Sequence, residues 1–171
     1  MDYNLAELVL KTAREKGATY AEARLEKSES SAFLLKNGIP HVSGYDTSVG
    51  IGLRVEVNGA MSFASTNNLD RKSIRQIVER AVKAAKSSSS IADKIDRTQA
   101  SVQRADYKVE QKKDIRTVSP TLKLKTLQEI DKAILATKKS VPGRYLVLGD
   151  EFIEKFYINT EGTRITSEIP R

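Results

Sequence analysis

Two Asn-Gly pairs, Asn37-Gly38 and Asn58-Gly59, constrain the fold of this chain more than any other feature. A two-residue hairpin turn needs left-handed backbone at both residues, and Asn-Gly adopts it at least steric cost. Between the pairs, Val49, Ile51, Leu53, Val55 and Val57 recur at every second position, with Gly50, Gly52, Arg54 and Glu56 on the opposite side. That period of two predicts a strand over 48–57, with return strands over 32–36, 39–45 and 60–65. Upstream, Ala21, Ala23 and Leu25 alternate with Glu22, Arg24 and Glu26, so 20–27 is a further strand. Ser28–Ser31 reads as a turn after it.

Three other segments carry the helical period. Leu5, Leu8, Val9, Thr12 and Ala13 share one face over 4–16, and Gly17 is placed to stop that helix. Asp70 is placed to cap a helix whose apolar face is Ile74, Ile77, Val78, Ala81, Val82 and Ala85. Ser119-Pro120 opens a third, marked by Leu124, Leu127, Ile130, Ile134 and Leu135. Two strands, 144–149 and 152–159, follow around Asp150-Glu151; a turn at Thr160-Glu161-Gly162 leads to an alternating run over 163–169. Residues 91–118 lack glycine and large apolar runs, and read as an extended connector with one short element.

The fold class is therefore α+β, with helices packed on mixed, mainly antiparallel sheets. The order helix, strand, strand, glycine turn, strand occurs over 4–45 and again over 121–169, which reads as a helix-strand-strand-strand internal duplication. The expected organisation is a first α+β unit over 1–90, the connector 91–118, and a second, incomplete unit over 119–171. Together they would form the N-terminal domain of a longer protein. The last strand, near Ile165 and Ile169, is expected to be an unprotected sheet edge, and such edges pair with other chains, so a dimer is expected.

Composition narrows the chemistry. No cysteine is present, which removes disulfides and thiolate metal sites, and a single histidine, His41, removes sites built on two. His41 itself, after Pro40, reads as a turn residue rather than a ligand. Asp150 and Glu151 point to opposite faces of an extended chain and do not form an acid/base pair. The charge is +7, from 29 basic and 22 acidic residues, but the two signs are interspersed and tryptophan is absent. A stacking platform for nucleic acid is not favoured. The start is not a basic leader, and no apolar run approaches the ~20 residues of a membrane span. A cytoplasmic location without membrane contact is expected.

Several segments, taken in order, carry a resemblance. Gly17-Ala18-Thr19-Tyr20-Ala21-Glu22-Ala23-Arg24, the Lys36-Asn37-Gly38 turn, Gly50-Ile51-Gly52-Leu53-Arg54-Val55 with Gly59 and Phe63-Ala64-Ser65-Thr66, and Asn159-Thr160-Glu161-Gly162 together resemble the TldD/PmbA proteins, also called modulators of DNA gyrase. The resemblance implies an α+β fold and a peptidase context: TldD-type members are zinc metallopeptidases acting on peptides and small unfolded proteins. They work as dimers, often with a zinc-free sister subunit. Their H-E-x-x-x-H zinc helix has no counterpart here, so zinc is expected elsewhere in a full-length protein, with no cofactor and no catalytic or metal residue in this chain. The implied role is a non-catalytic N-terminal domain that shapes the substrate cleft and the dimer. The alternative is a non-enzymatic binding module acting on DNA gyrase or a gyrase-directed regulator.

The candidate cleft or structural residues are Gly50, Gly52, Arg54, Asn159 and Gly162. Arg54 could clamp a substrate carboxylate, or form a structural ion pair with a residue such as Glu56 or Glu22. Gly50 and Gly52 would let a peptide lie beside their strand, or let a neighbouring helix pack tightly; helix packing is the favoured expectation.

Overall fold

The computed structural model describes residues 1–91, 93–95, 97–98, 100–137 and 139–171, with the backbone alone at 42 and 43. The elements in chain order are α1 (Asn4–Glu15), β1 (Tyr20–Lys36), β2 (Ile39–Val57), β3 (Ala60–Thr66), α2 (Arg71–Ser88), β4 (Arg104–Lys108), a 3-10 turn at Ile115–Thr117, α3 (Pro120–Ala136), β5 (Tyr145–Asn159) and β6 (Arg164–Pro170). They make an α+β fold whose strands form one sheet in the order β3-β2-β1-β5-β6-β4. The chain forms two compact units that interleave along the sequence. Unit one takes Met1–Lys27, Val49–Lys108 and Glu154–Glu168; unit two takes Ser28–Ser48, Val109–Ile153 and Ile169–Arg171.

The punctuation signals act as their chemistry requires. Asn37 and Asn58 (φ 49° and 51°) and Gly38 and Gly59 (φ 81° and 82°) all occupy left-handed backbone, the signature of a tight hairpin turn. At Asp70 the side chain accepts from the backbone N–H of Lys72 and Ser73, both at 2.9 Å, and so caps α2. Ser119 accepts from Leu122 N at 3.3 Å to cap α3, with Pro120 in the first turn.

Three strands are longer than the sequence pattern predicts. Ser28–Ser31 is not a turn but the middle of β1, 39–45 and 48–57 merge in β2, and Asp150-Glu151 lies inside β5. In unit two the polar interruptions of two strands satisfy each other. Ser28 Oγ donates to Glu151 Oε1 at 2.6 Å, and Ser31 Oγ donates to Asp150 Oδ2 at 2.8 Å. A run without apolar alternation can thus remain a strand when its neighbour offers matching polar partners.

The predicted edge at β6 is a further correction. Over Arg164–Glu168, β6 pairs in parallel with Arg104–Lys108 of β4, and β5 flanks its other side. The covering strand lies in the stretch read as a connector, whose residues 92, 96 and 99 lie outside the described ones. Only Ala105 of β4 is even half-buried, so it carries no strand-like alternation. The sheet ends at β3 and β4 instead.

In unit one, α1 and α2 cover one sheet face. Leu5, Leu8, Val9 and Ala13 of α1 and Ile74, Val78, Val82 and Ala85 of α2 share a core with Leu25, Ile51, Leu53, Val55, Phe156 and Ile158. The strand residues between these positions face the other side. Unit two has a small core of Phe33, Leu35 and Leu127. Of the five apolar residues predicted to mark α3, only Leu127 is fully buried. The buried stripe is instead Lys123, Leu127 and Asp131, because both charges have partners on or next to β5: Asp150 at 2.7 Å from Lys123, and Arg144, just before the strand, at 2.7 Å from Asp131.

Candidate functional site

Alternation places Tyr20, Glu22 and Arg24 of β1, Gly52 and Arg54 of β2, and Tyr157 of β5 on the sheet face that α1 and α2 leave uncovered. A groove of about 460 Å³ lies there, lined by Glu22, Arg24, Gly52, Arg54, Phe63 and Tyr157 among others. Glu22 is its organising group. Its Oε1 accepts from Arg54 Nε at 2.8 Å, while its Oε2 accepts from the hydroxyls of Tyr20 (2.6 Å) and Tyr157 (2.8 Å). Burial by itself raises the Glu22 carboxyl pKa; the hydrogen bonds from Tyr20, Tyr157 and Arg54 outweigh it and hold the group below its ordinary value. Burial, reinforced by the bond to Glu22, pushes the Tyr20 hydroxyl far above its ordinary range, and burial likewise raises Tyr157.

Arg54 therefore forms the structural ion pair with Glu22, one of the two carboxylates weighed for it, while still lining the groove. Its guanidinium carbon also stands 5.3 Å from the Phe63 ring centroid. Arg24, exposed at the same groove, has no ion-pair partner among the described residues. The two glycines separate in role. A Cβ on Gly50 would meet the Thr66 carbonyl oxygen of β3 at 3.3 Å, so what approaches it is a strand backbone and not a helix. A Cβ on Gly52 would meet nothing within 4 Å, so this glycine leaves the groove floor open.

Asn159 and Gly162 build the turn between β5 and β6 and do not line the groove. Asn159 Oδ1 accepts from the backbone N–H of Glu161 and Thr163, both at 3.0 Å, and Gly162 takes φ 102°. The turn aims Glu161 at Arg97, whose Nη1 donates to Glu161 Oε1 at 2.6 Å. Arg97 also donates from Nε to Glu56 at 3.3 Å and lies 3.7 Å over the Tyr20 ring. Sequence reasoning missed Arg97, which sits in the connector without any periodic context, and Tyr157, which was legible as an alternate position of its strand. His41 is exposed on β2. Asp150 and Glu151 take separate partners, Lys123 and Ser28, as opposite faces of one strand require.

A metal centre does not fit these residues. Among the described residues no three His, Cys, Asp or Glu side chains gather as a metal site requires. No described helix is long and apolar enough to cross a membrane.

An α+β chain of this fold has counterparts among known proteins. The first domain of the PmbA/TldA metallopeptidases matches residues 21–85, and their central domain matches residues 113–171. The chain belongs to this PmbA/TldD family. It is 27% identical over 159 residues to a metalloprotease of Methanocaldococcus jannaschii, a match that covers 89% of this chain and 34% of that protein. The chain thus spans about a third of that relative's length. Its fold is that of a protein from Bacteroides thetaiotaomicron named as a modulator of DNA gyrase (TM-score 0.84, 18% identity, 99% of this chain and 39% of that one). TldE from Thermococcus kodakarensis shares it as well (TM-score 0.75, 15% identity, 97% and 37%). At these identities the solved structures establish the fold alone.

Proposed function

We propose that this chain holds peptide substrate, without bond-breaking chemistry of its own, for a PmbA/TldD-type peptidase whose zinc centre lies elsewhere in the assembly. The observation that carries this reading is the groove on the open sheet face of unit one. It combines a guanidinium fixed by Glu22, a second cation at Arg24 with no ion-pair partner among the described residues, an exposed aromatic ring at Phe63 and a floor left bare at Gly52. Arginine forks suit carboxylates, and a half-apolar trough with a few fixed polar groups suits an extended peptide. Since the residues here do not fit a zinc site, no step of hydrolysis is assigned to them. A partner subunit, a second copy or a sister chain, and a cytoplasmic location belong to the same proposal; with β6 already paired, a subunit contact would use another surface.

The test uses the 171-residue chain itself. It should bind unstructured peptides, as read by fluorescence anisotropy, while cleaving none and taking up no stoichiometric zinc. Gly52→Leu should weaken peptide binding about tenfold by filling the trough, with an unchanged fold, because the added Cβ points into open space. Peptide hydrolysis by the chain alone, or undiminished binding by Gly52→Leu, overturns the reading.

A further inference from the structure

We propose that Arg24 reads a carboxylate on the peptide held in the open-face groove, so that the groove selects carboxylate-bearing peptides over neutral ones. The inference rests on the peptide-holding reading and names the chemistry of the peptide. It moves to Arg24 the role that the sequence offers to Arg54.

Three observations carry it. The first is the pairing of charges along β1. Alternation sets Glu22, Arg24 and Glu26 on the open face. Glu22 accepts from Arg54 of β2 at 2.8 Å, and Glu26 pairs with Lys155 of β5 at 3.3 Å. Both carboxylates that flank Arg24 on its own strand are therefore engaged by neighbouring strands. Arg24 itself is exposed and has no ion-pair partner among the described residues.

The second is what stands across from it. β1 and β2 run antiparallel, as their two-residue turn requires. The step from Glu22 to Arg24 on β1 thus matches the step from Arg54 to Gly52 on β2, and Arg24 and Gly52 both line the groove. A Cβ on Gly52 would meet nothing within 4 Å. Glu22 supplies the cross-strand carboxylate for Arg54; the glycine supplies none for Arg24 and leaves that place to a ligand. The third is the balance of charge. Glu22, Arg24 and Arg54 are the charged side chains among the lining residues, which leaves one cation uncompensated. The bonds from Tyr20, Tyr157 and Arg54 keep Glu22 ionised, so the excess remains positive at neutral pH. Arg54 already spends Nε and Nη2 on Glu22. The planar fork of Arg24 remains to take a carboxylate through two parallel bonds.

The experiment compares peptide affinities for the 171-residue chain by fluorescence anisotropy, with a neutral fluorophore. The probes are valine–serine hexapeptides with glutamate, glutamine or lysine at one central position, acetylated and amidated. A further probe carries glutamine and a free C-terminal carboxylate, which separates a side-chain source from a chain-end source. The glutamate peptide should bind about fivefold more tightly than the glutamine peptide, and the ratio should shrink as salt rises. Arg24→Gln should bring that ratio to about one, and Arg24→Glu should turn the preference to the lysine peptide. Arg71→Gln removes the same charge at the exposed start of α2 and should leave the ratio unchanged. A gain by the free-carboxylate peptide that Arg24→Gln abolishes upholds the proposal and assigns the chain end as the source. Equal binding of all the peptides overturns this inference and leaves the peptide-holding reading in place. A carboxylate preference that survives Arg24→Gln, or that Arg71→Gln erases equally, puts the selection elsewhere and also overturns it. If no peptide binds, and unstructured peptides of other sequence fail as well, both readings fall.

Discussion

Both units pack a helix against strands joined by a tight Asn-Gly turn, yet they are held together in different ways. Unit one encloses a continuous core of Leu, Ile, Val, Ala and Phe side chains between two helices and the sheet. Its charges are kept to the open face, where Arg54, Glu22, Tyr20 and Arg97 bond to one another. Unit two has one long helix and a core cluster of three residues. It buries Lys123 and Asp131 on the helix and pairs them with Asp150 and Arg144, while Leu122, Ile130 and Leu135 of the same helix stay exposed. Burial of aliphatic surface is non-directional and tolerates swaps of similar volume. A buried ion pair tolerates the loss of neither partner. The two units therefore have different failure modes, gradual in unit one and abrupt in unit two.

The largest effect should come from the aliphatic unit. Phe156 is fully buried, with the Tyr3 ring stacked at 4.3 Å and the Arg164 guanidinium carbon 4.6 Å from its ring centroid. Phe156→Ala should cost about 4 kcal/mol, from lost transfer energy and the cavity left behind. Urea unfolding reads it directly. A cost under about 1 kcal/mol would mean the site collapses freely and unit one is not held by its packing.

Next comes the charge pair. Lys123 is 5% exposed and Asp150 is 17% exposed; Lys123 Nζ also donates to Ser31 at 2.8 Å. Lys123→Met leaves the Asp150 carboxylate without its cation and should cost about 3 kcal/mol, while Lys123→Met with Asp150→Leu should recover most of that loss. If the double variant is as unstable as the single one, the pair is not what closes unit two, and the contrast between the units disappears.

The contrast also explains what the sequence disclosed. Helices α1 and α2 were legible because their stripes, apolar but for Thr12 of α1, meet an apolar sheet, so period and burial coincide at Leu8, Val9, Ile74 and Val78. In α3 the same reading located the helix and mistook its buried face, since Lys123 and Asp131 lie at the spacing of a core stripe but do not look like one. Their burial depends on Asp150 and Arg144, distant in sequence. The long strands were divided for a related reason: Ser28 and Ser31 signal a turn until Glu151 and Asp150 are seen to face them. At the groove, Gly52 and Arg54 stood out within one strand, whereas Tyr157 and Arg97 reach the same cluster through strand order and a connector that local pattern does not encode.

The smallest effect is the one that titrates, and it belongs to unit one's open face. Glu22 has its folded pKa held below the ordinary 4.5, so its contribution is present above that pH and is lost as pH falls through the folded value. Tyr20 has its folded pKa raised above the ordinary 10.0, so its contribution is complete below pH 10. Above that pH the unfolded chain releases the tyrosine proton while the folded chain keeps it, and stability declines. Tyr20→Phe removes the hydroxyl that bonds to Glu22. It should cost about 1 kcal/mol at neutral pH, flatten the fall of melting temperature above pH 10, and make the acid fall shallower and complete at a higher pH, because Glu22 loses one of the bonds that depress it. Glu22→Gln should remove the acid component and leave Tyr20 easier to ionise. Profiles in which both variants parallel the parent chain at either extreme would show that the cluster is not what titrates, and that unit one's open face, like its core, is stabilised by packing alone.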